Sequence, residues 1–374
     1  MDKRKINLID TTLRDGAQGC NTAFSYEDKL HIAEMLTSSG LSHIEAGIPA
    51  MGEEEIQSIS EIKRRFPQLH VISWCRALKS DIDLAAKSGC DSVHISLPAS
   101  SLHQRITGIE EEFVLDICST ILQYALPKFD SVSIGAQDAS RADPRFLTSL
   151  VLTAKQLGAC RVRIADTVGI LTPRATESLI SGILSQVPDA SLEFHAHNDL
   201  GMATANTVTA IQCGADSASV TLCGLGERAG NAALEEVAVA LNLEKTVESN
   251  LNLKNISQIC HEVYQIIKQP IPFGKPVVGK GAFKHESGIH CQGLLEDSRA
   301  YEPYSPESVG QKREFLAGTH SGTSGVIAML SNSGISISRQ QAYEFLETVR
   351  HAAVASEKAL HEEDVAALYK SCYA

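Results

Sequence analysis

The chain has 374 residues, 43% of them hydrophobic and 21% charged, with a formal net charge of -12. That length can bury a large core in one principal domain with an appendage. The composition suits a soluble globular protein, and the negative balance argues against nucleic-acid and anionic-membrane partners. No apolar run approaches the roughly 18 residues that span a bilayer. The N-terminal MDKRKINLID lacks an apolar signal core, so the expectation is a cytoplasmic protein. Ten cysteines stand singly with no CxxC pair, which predicts free thiols in a reducing compartment.

Apolar runs of strand length recur along the first two-thirds of the chain. The pattern predicts strands at Ile6–Asp10, His43–Ile48, His70–Arg76, Ser92–Leu97, Ser131–Asp138, Arg161–Thr167, Ser191–Asn198 and Ala218–Leu222. Helical patterns separate them, such as Glu27–Ser38, which stops at Gly40. Eight β-then-α units over about 250 residues predict a (β/α)8 TIM barrel, with a doubly wound open sheet as the rival. The barrel is expected to fill residues 1–268. Residues 269–374 are expected to form a flexible connecting region and a small helical subdomain, with helices near Ser338–Ala355 and Glu362–Ser371.

In such a barrel the chemistry sits where strands end, so residues at those ends are the candidates. The first strand runs into Arg14-Asp15. The second carries Glu45 opposite its apolar neighbours, so its carboxylate is expected to point inward. The seventh ends in His195-Ala196-His197, and side chains two apart on a strand share a face, so both imidazoles can reach one ion. With the Asp15 carboxylate they suit a divalent metal with open positions, be it Zn, Mn, Mg or Fe. Asn231 is either a further oxygen ligand or the N-cap of the helix that follows it. Arg14 either lies beside the ion, where a guanidinium can hold developing negative charge on a substrate oxygen, or makes a structural salt bridge across the barrel mouth. Thr167 either binds a substrate carboxylate or finishes its strand. Arg76 is either an anchor for a distal carboxylate or a solvated charge. His290 and Tyr301, in the connecting region, could close over a substrate as acid and base.

The segments IDTTLRDGAQ, IEAGIPAMGEEE, RIADTVGI, EFHAHNDLGMATANT, GLGERAGNAALEEVA, HESGIHCQGLL and HSGTSGV resemble, in order and spacing, the homocitrate/isopropylmalate/citramalate synthase family. IPAMGEEE, WCR, LPAS and DASRAD read like its nitrogen-fixation branch of homocitrate synthases. The resemblance implies a Claisen condensation of acetyl-CoA with a 2-oxo acid, most simply 2-oxoglutarate to homocitrate, followed by thioester hydrolysis. It implies a metal on Asp15, His195 and His197 with Asn231 close by, Arg14 on the keto group, Thr167 on the carboxylate, and Gln18 and Glu45 in the pocket. It also implies a homodimer with a swapped C-terminal region, in which His290 and Tyr301 reach the partner subunit's site.

Three positions depart from the family pattern. Ala17 stands where a glutamate is usual, Gln137 precedes Asp138 where a glutamate is usual, and Thr319 stands where a lysine is common. A glutamine does not titrate, so a proton relay through position 137 is absent or rerouted. The metal set and Arg14 are untouched, so the reaction class is better specified than the 2-oxo acid. Pyruvate, 2-oxoisovalerate, oxaloacetate or a phosphorus-containing pyruvate analogue are the alternatives, as is a CoA-independent metal aldolase or lyase on the same barrel.

Overall fold

The computed structural model describes residues 3–244, 247–248 and 251–373. They form two compact units, one of residues 1–253 with 259–270 and one of 254–258 with 271–374. The first unit holds a closed barrel of eight parallel strands: β1 (Asn7–Asp10), β2 (His43–Gly47), β3 (His70–Arg76), β4 (Ser92–Pro98), β5 (Ser131–Gln137), β6 (Arg161–Asp166), β7 (Leu192–Ala196) and β8 (Ser217–Val220). Closure comes from β1 pairing in parallel with β8, Asn7 opposite Ser217 and Asp10 opposite Val220. The open sheet is thereby ruled out.

Helices cover the strands, and their local sequence explains where they start and stop. Helix α1 (Tyr26–Ser38) opens on a capping box between Ser25 and Asp28. Helix α2 (Glu53–Arg65) starts with three glutamates and ends with Lys63, Arg64 and Arg65, each charge set facing the favourable pole of the helix dipole. Its Ile56, Ile59 and Ile62 recur at helical spacing and are buried. Helix α3 (Lys79–Ser88) ends on Gly89 in the left-handed conformation. The remaining covering helices are α4 (Ser101–Thr107), α5 (Glu111–Ala125), α6 (Pro144–Gln156), α7 (Pro173–Gln186), α8 (Ala203–Gln212) and α9 (Leu234–Leu243). Apolar side chains such as Ile44, Val71, Val93, Ile95, Val132, Ile134, Ile164 and Phe194 are fully buried.

Helix α10 (Ile256–Ile266) leads into the second unit, which contains α11 (Gly288–Glu296), α12 (Thr323–Asn332), α13 (Arg339–Ala355) and α14 (Glu362–Tyr373). Its core joins Val326, Met329, Leu330, Phe345, Val349, Leu360 and Val365. Helix α11 lies within Val278–Gly325, a Gly-, His- and Tyr-rich stretch with little clear periodicity, and most of α12 lies beyond it. They are short, and their glycines and polar residues dilute the apolar repeat. All ten cysteines are free thiols. Among the described residues no helix is long and apolar enough to cross a membrane.

Candidate active site

At the C-terminal ends of the strands lies a cavity of about 250 Å³, lined among others by Arg14, Asp15, Gln18, Trp74, His94, Gln137, Arg163, Thr167, His195 and His197. Three buried ligand atoms converge on one side of it. His195 Nε2 is 3.1 Å and His197 Nε2 3.8 Å from Asp15 Oδ2, and the two imidazole nitrogens are 3.3 Å apart. Asp15 Oδ2 and Asn231 Oδ1 are buried acceptors with no hydrogen-bond partner. A buried acceptor without a partner is costly unless something binds it. An ion about 2.1 Å from each ligand sets ligand atoms roughly 3.0–3.5 Å apart; the 3.1 and 3.3 Å spacings fall in that range, and the third, 3.8 Å, is slightly wider. The residues therefore fit a divalent metal.

Burial by itself would raise the Asp15 carboxyl, but the Arg14 charge and the two histidines more than offset it and hold it well below the usual range. Burial, and then the neighbouring His195, lower His197 to about 4. These effects favour the ligating forms of Asp15, a carboxylate, and His197, a neutral imidazole.

Asn231 sits at the end of the glycine-rich loop GLGERAGN. Its Nδ2 donates to the Leu225 carbonyl at 2.9 Å, which leaves Oδ1 as the orphan. Helix α9 is capped by Ala233, with no side-chain cap, so the N-cap reading of Asn231 is wrong. The loop needs its glycines: Gly226 has φ +155°, and a Cβ there would come within 2.2 Å of Asn231 Nδ2.

Arg14 is held from below. Its Nε donates to Glu45 Oε1 at 2.5 Å, and its Nη1 lies 3.2 Å from Asp15 Oδ1. Glu45 is fully buried and does not line the cavity; its other oxygen accepts from Arg163 Nη2 at 2.6 Å. Burial would raise the Glu45 carboxyl, but Arg14 and Arg163 bring it down to about 2. Arg163 also donates from Nε to Glu193 Oε1 at 2.6 Å. Glu193 in turn accepts from Arg161 at 2.6 Å and from the Ser219 hydroxyl. This ionic layer fills the barrel interior beneath the cavity.

Thr167 lines the cavity, and its hydroxyl accepts from the Asp138 amide at 2.8 Å, leaving its own proton to donate. Gln18 and Gln137 also line the cavity. Arg76 does not. It forks onto Asp81 at 2.8 and 3.0 Å and is 60% exposed, so the distal-anchor expectation is corrected. An aspartate five residues on, at the start of α3, captured it. His290 and Tyr301 belong to the second unit, where their rings stack with centroids 4.1 Å apart. Tyr301 packs over Gly293, where a Cβ would meet its ring at 2.6 Å.

Sequence reasoning passed over Arg163, Glu193 and His94. His94 is buried, bonded through Nδ1 to the Ser133 hydroxyl at 2.9 Å, and its proton affinity is lowered well below normal by burial and then by Arg163. The period-two pattern of β6, Arg161-Val162-Arg163-Ile164, reads as a strand with one solvated face, and the structure turns that face inward.

A parallel barrel with a carboxylate and two imidazoles at its C-terminal mouth defines the TIM-barrel class with a residue set that could hold a metal. The HMGL-like family model matches residues 5–263, and the model described as homocitrate synthase post-HMGL domain-like matches residues 277–357. Homocitrate synthase 1 of Nostoc sp. is 37% identical over 368 residues, 98% of this chain and 97% of its own. 2-Isopropylmalate synthase 2 of Caldanaerobacter subterraneus subsp. tengcongensis is 36% identical over 368 residues, 98% of this chain and 96% of its own. The HMG-CoA lyase of Bacillus subtilis shares the fold, with a TM-score of 0.65 at 20% identity over 73% of this chain and 97% of its own. The chain belongs to the HMGL-like family and is an acyltransferase of the homocitrate/isopropylmalate synthase type.

Proposed function

We propose that this protein condenses acetyl-CoA with a 2-oxo acid, 2-oxoglutarate being the substrate and homocitrate the product, with CoA released in the cytoplasm. The observation that carries the reading is the convergence of Asp15, His195 and His197 within 3.8 Å beside the Arg14 guanidinium. Asp15, His195, His197 and Asn231 would hold a divalent ion, which when bound polarises the keto oxygen as a Lewis acid.

The chain's own groups supply the rest. Attack on a ketone builds negative charge on its oxygen, and Arg14, fixed by Glu45, offers its remaining N–H donors to that charge without reorganising. Thr167 donates its hydroxyl proton to the substrate carboxylate. By the family resemblance, His290 and Tyr301 act as acid and base in the site of a partner subunit within a homodimer. Mixing His195→Ala and His290→Ala chains tests this, since a shared site restores activity in the mixed dimer and a self-contained site does not.

The main experiment follows free thiol with Mn²⁺ or Zn²⁺, acetyl-CoA and a panel of 2-oxo acids. Release with 2-oxoglutarate supports homocitrate formation. Release with pyruvate or 2-oxoisovalerate alone would keep the chemistry and change the substrate. No release with any acid would sink the condensation.

A further inference from the structure

Besides the set at the barrel mouth, the described residues hold one other group of three side chains placed to share an ion: Cys223, Glu235 and Cys260. Each offers one ligand atom, a thiol sulfur or a carboxylate oxygen, and the three atoms lie within 4.8 Å of one another. All three side chains are buried, Glu235 and Cys260 completely. They come from separate segments of the first unit: the turn after β8, the first turn of α9, and α10.

A buried cysteine is usually an inert small hydrophobe. The company differs here. A fully buried glutamate lies against two sulfurs, and Cys223 is 12 residues from Glu235 and 37 from Cys260, so tertiary folding brings the three together. The Cys223 amide donates to Glu235 Oε2 at 3.0 Å, and its Sγ lies 3.6 Å from the Cys260 carbonyl. Cys223 holds its thiol there on a left-handed backbone, φ +63°, a conformation that costs a residue with a side chain roughly 1–3 kcal/mol.

We propose that Cys223, Glu235 and Cys260 form a second metal site, for a thiophilic divalent cation such as Zn²⁺. Two thiolates and a carboxylate are a softer donor set than the imidazoles and carboxylate at the mouth. Zn–S bonds of about 2.3 Å and a Zn–O bond of about 2.0 Å set such ligand atoms roughly 3.5–3.8 Å apart, inside the 4.8 Å that bounds them here. Each thiol gives up its proton to solvent as its metal–sulfur bond forms, so affinity rises with pH.

The place of the site gives the ion a structural task. Cys223 and Glu235 flank the glycine-rich loop that carries Asn231, and Asn231 is bridged to His197. The backbone already closes that loop, the Leu234 amide donating to the Thr221 carbonyl at 2.8 Å. An ion on Cys223, Glu235 and Cys260 fastens both ends of the loop to α10, behind the mouth set. This task does not depend on which reaction the mouth performs.

Cadmium is the probe, because Cd²⁺ on thiolates gives an ultraviolet charge-transfer band that imidazole and carboxylate ligands do not. The reduced, metal-free protein is brought to equilibrium with Cd²⁺. Wild type and His195→Ala, whose mouth set is broken, should both develop the band and saturate it at one Cd²⁺ per chain. Cys223→Ser and Cys260→Ser should each lose it. Glu235→Gln should keep it, with affinity lowered by at least the roughly 10- to 100-fold that loss of an outer-shell partner costs. Zn²⁺ should displace the band and Mn²⁺, which prefers harder ligands, should not. No band in the wild type would overturn the assignment. So would a band that survives in both serine variants, which would belong to exposed thiols such as Cys20, Cys160 and Cys372. Should a core variant fail to fold, Cys20→Ser, Cys160→Ser and Cys372→Ser combined leave the core untouched. The band must persist in that chain, and its loss would overturn the site.

Discussion

Glu45 fixes the orientation of Arg14: its Oε1 accepts from the guanidinium Nε at 2.5 Å inside a fully buried layer of the barrel. Glu45 is fully buried and does not line the cavity, so its expected role is to position Arg14. Glu45→Gln keeps the shape but loses the charge. Its kcat should fall roughly 10- to 100-fold with little change in the KM for 2-oxo acid, a loss of about 1.4–2.7 kcal/mol, since misplacing an oxyanion donor costs up to about what removing it does. Steady-state kinetics checks this; a rise in KM with unchanged kcat would place Glu45 in ground-state binding instead.

The metal-fitting set predicts a linkage between ion and stability. Adding Mn²⁺ or Zn²⁺ at about 100 times its dissociation constant should stabilise the wild type by about 2.7 kcal/mol. His195→Ala should lose that increment while its metal-free melting point stays near the wild-type value, because the orphaned acceptors gain nothing without the ion. Thermal denaturation with and without metal, together with metal analysis of the dialysed protein, reads both quantities. An undiminished increment in His195→Ala would show that the ion binds elsewhere.

Asp10, fully buried at the end of β1, gives a pH signature distinct from the site. Burial raises its carboxyl to about 7, despite hydrogen bonds from the Thr12 amide at 2.9 Å and the Thr12 hydroxyl at 2.8 Å. A raised folded-state pKa contributes stability that is fully present below the unfolded value near 4 and is lost as pH climbs through about 7. Asp10→Asn removes this titration. Relative to wild type, the variant should gain roughly 2–4 kcal/mol between pH 4 and pH 8. Urea midpoints for both proteins across that range test it, and the difference curve cancels contributions from groups common to both proteins. A flat difference would mean Asp10 is ionised in the folded protein throughout.

The barrel and the metal-fitting residues were legible because each left a local mark. Eight apolar runs at regular spacing reported the strands, and His195 and His197, two apart at a strand end, reported a shared face. Asp15 needed only the rule that chemistry gathers at strand ends. Arg163 and Glu193 left no such mark, because alternating charge on a strand signals solvent, whereas here the charged face turns into the barrel and is neutralised by partners 30 and 118 residues away. Arg76 shows the converse failure. Its strand-end position was read correctly, but its partner Asp81 lies on the following helix, and only the bend between them shows the charge to be spent. Long-range pairing decides the fate of a buried charge, and one sequence does not display it.

Gly135 ties the cavity floor to the packing of His94. A Cβ at this position would lie 2.5 Å from His94 Nε2 and 2.9 Å from Cε1. His94 cannot swing away freely, since it is buried and anchored through Nδ1 to Ser133 at 2.9 Å. Gly135→Ala should therefore destabilise the protein by about 1–3 kcal/mol, the usual cost of overpacking, and raise the KM for the 2-oxo acid by crowding the floor. His94→Ala opens space at the same spot. In the double variant the clash is gone, so the two losses should fall short of additivity by about 1 kcal/mol or more. Denaturant unfolding of the four proteins measures the coupling, and strict additivity would show that the alanine methyl is accommodated without touching His94.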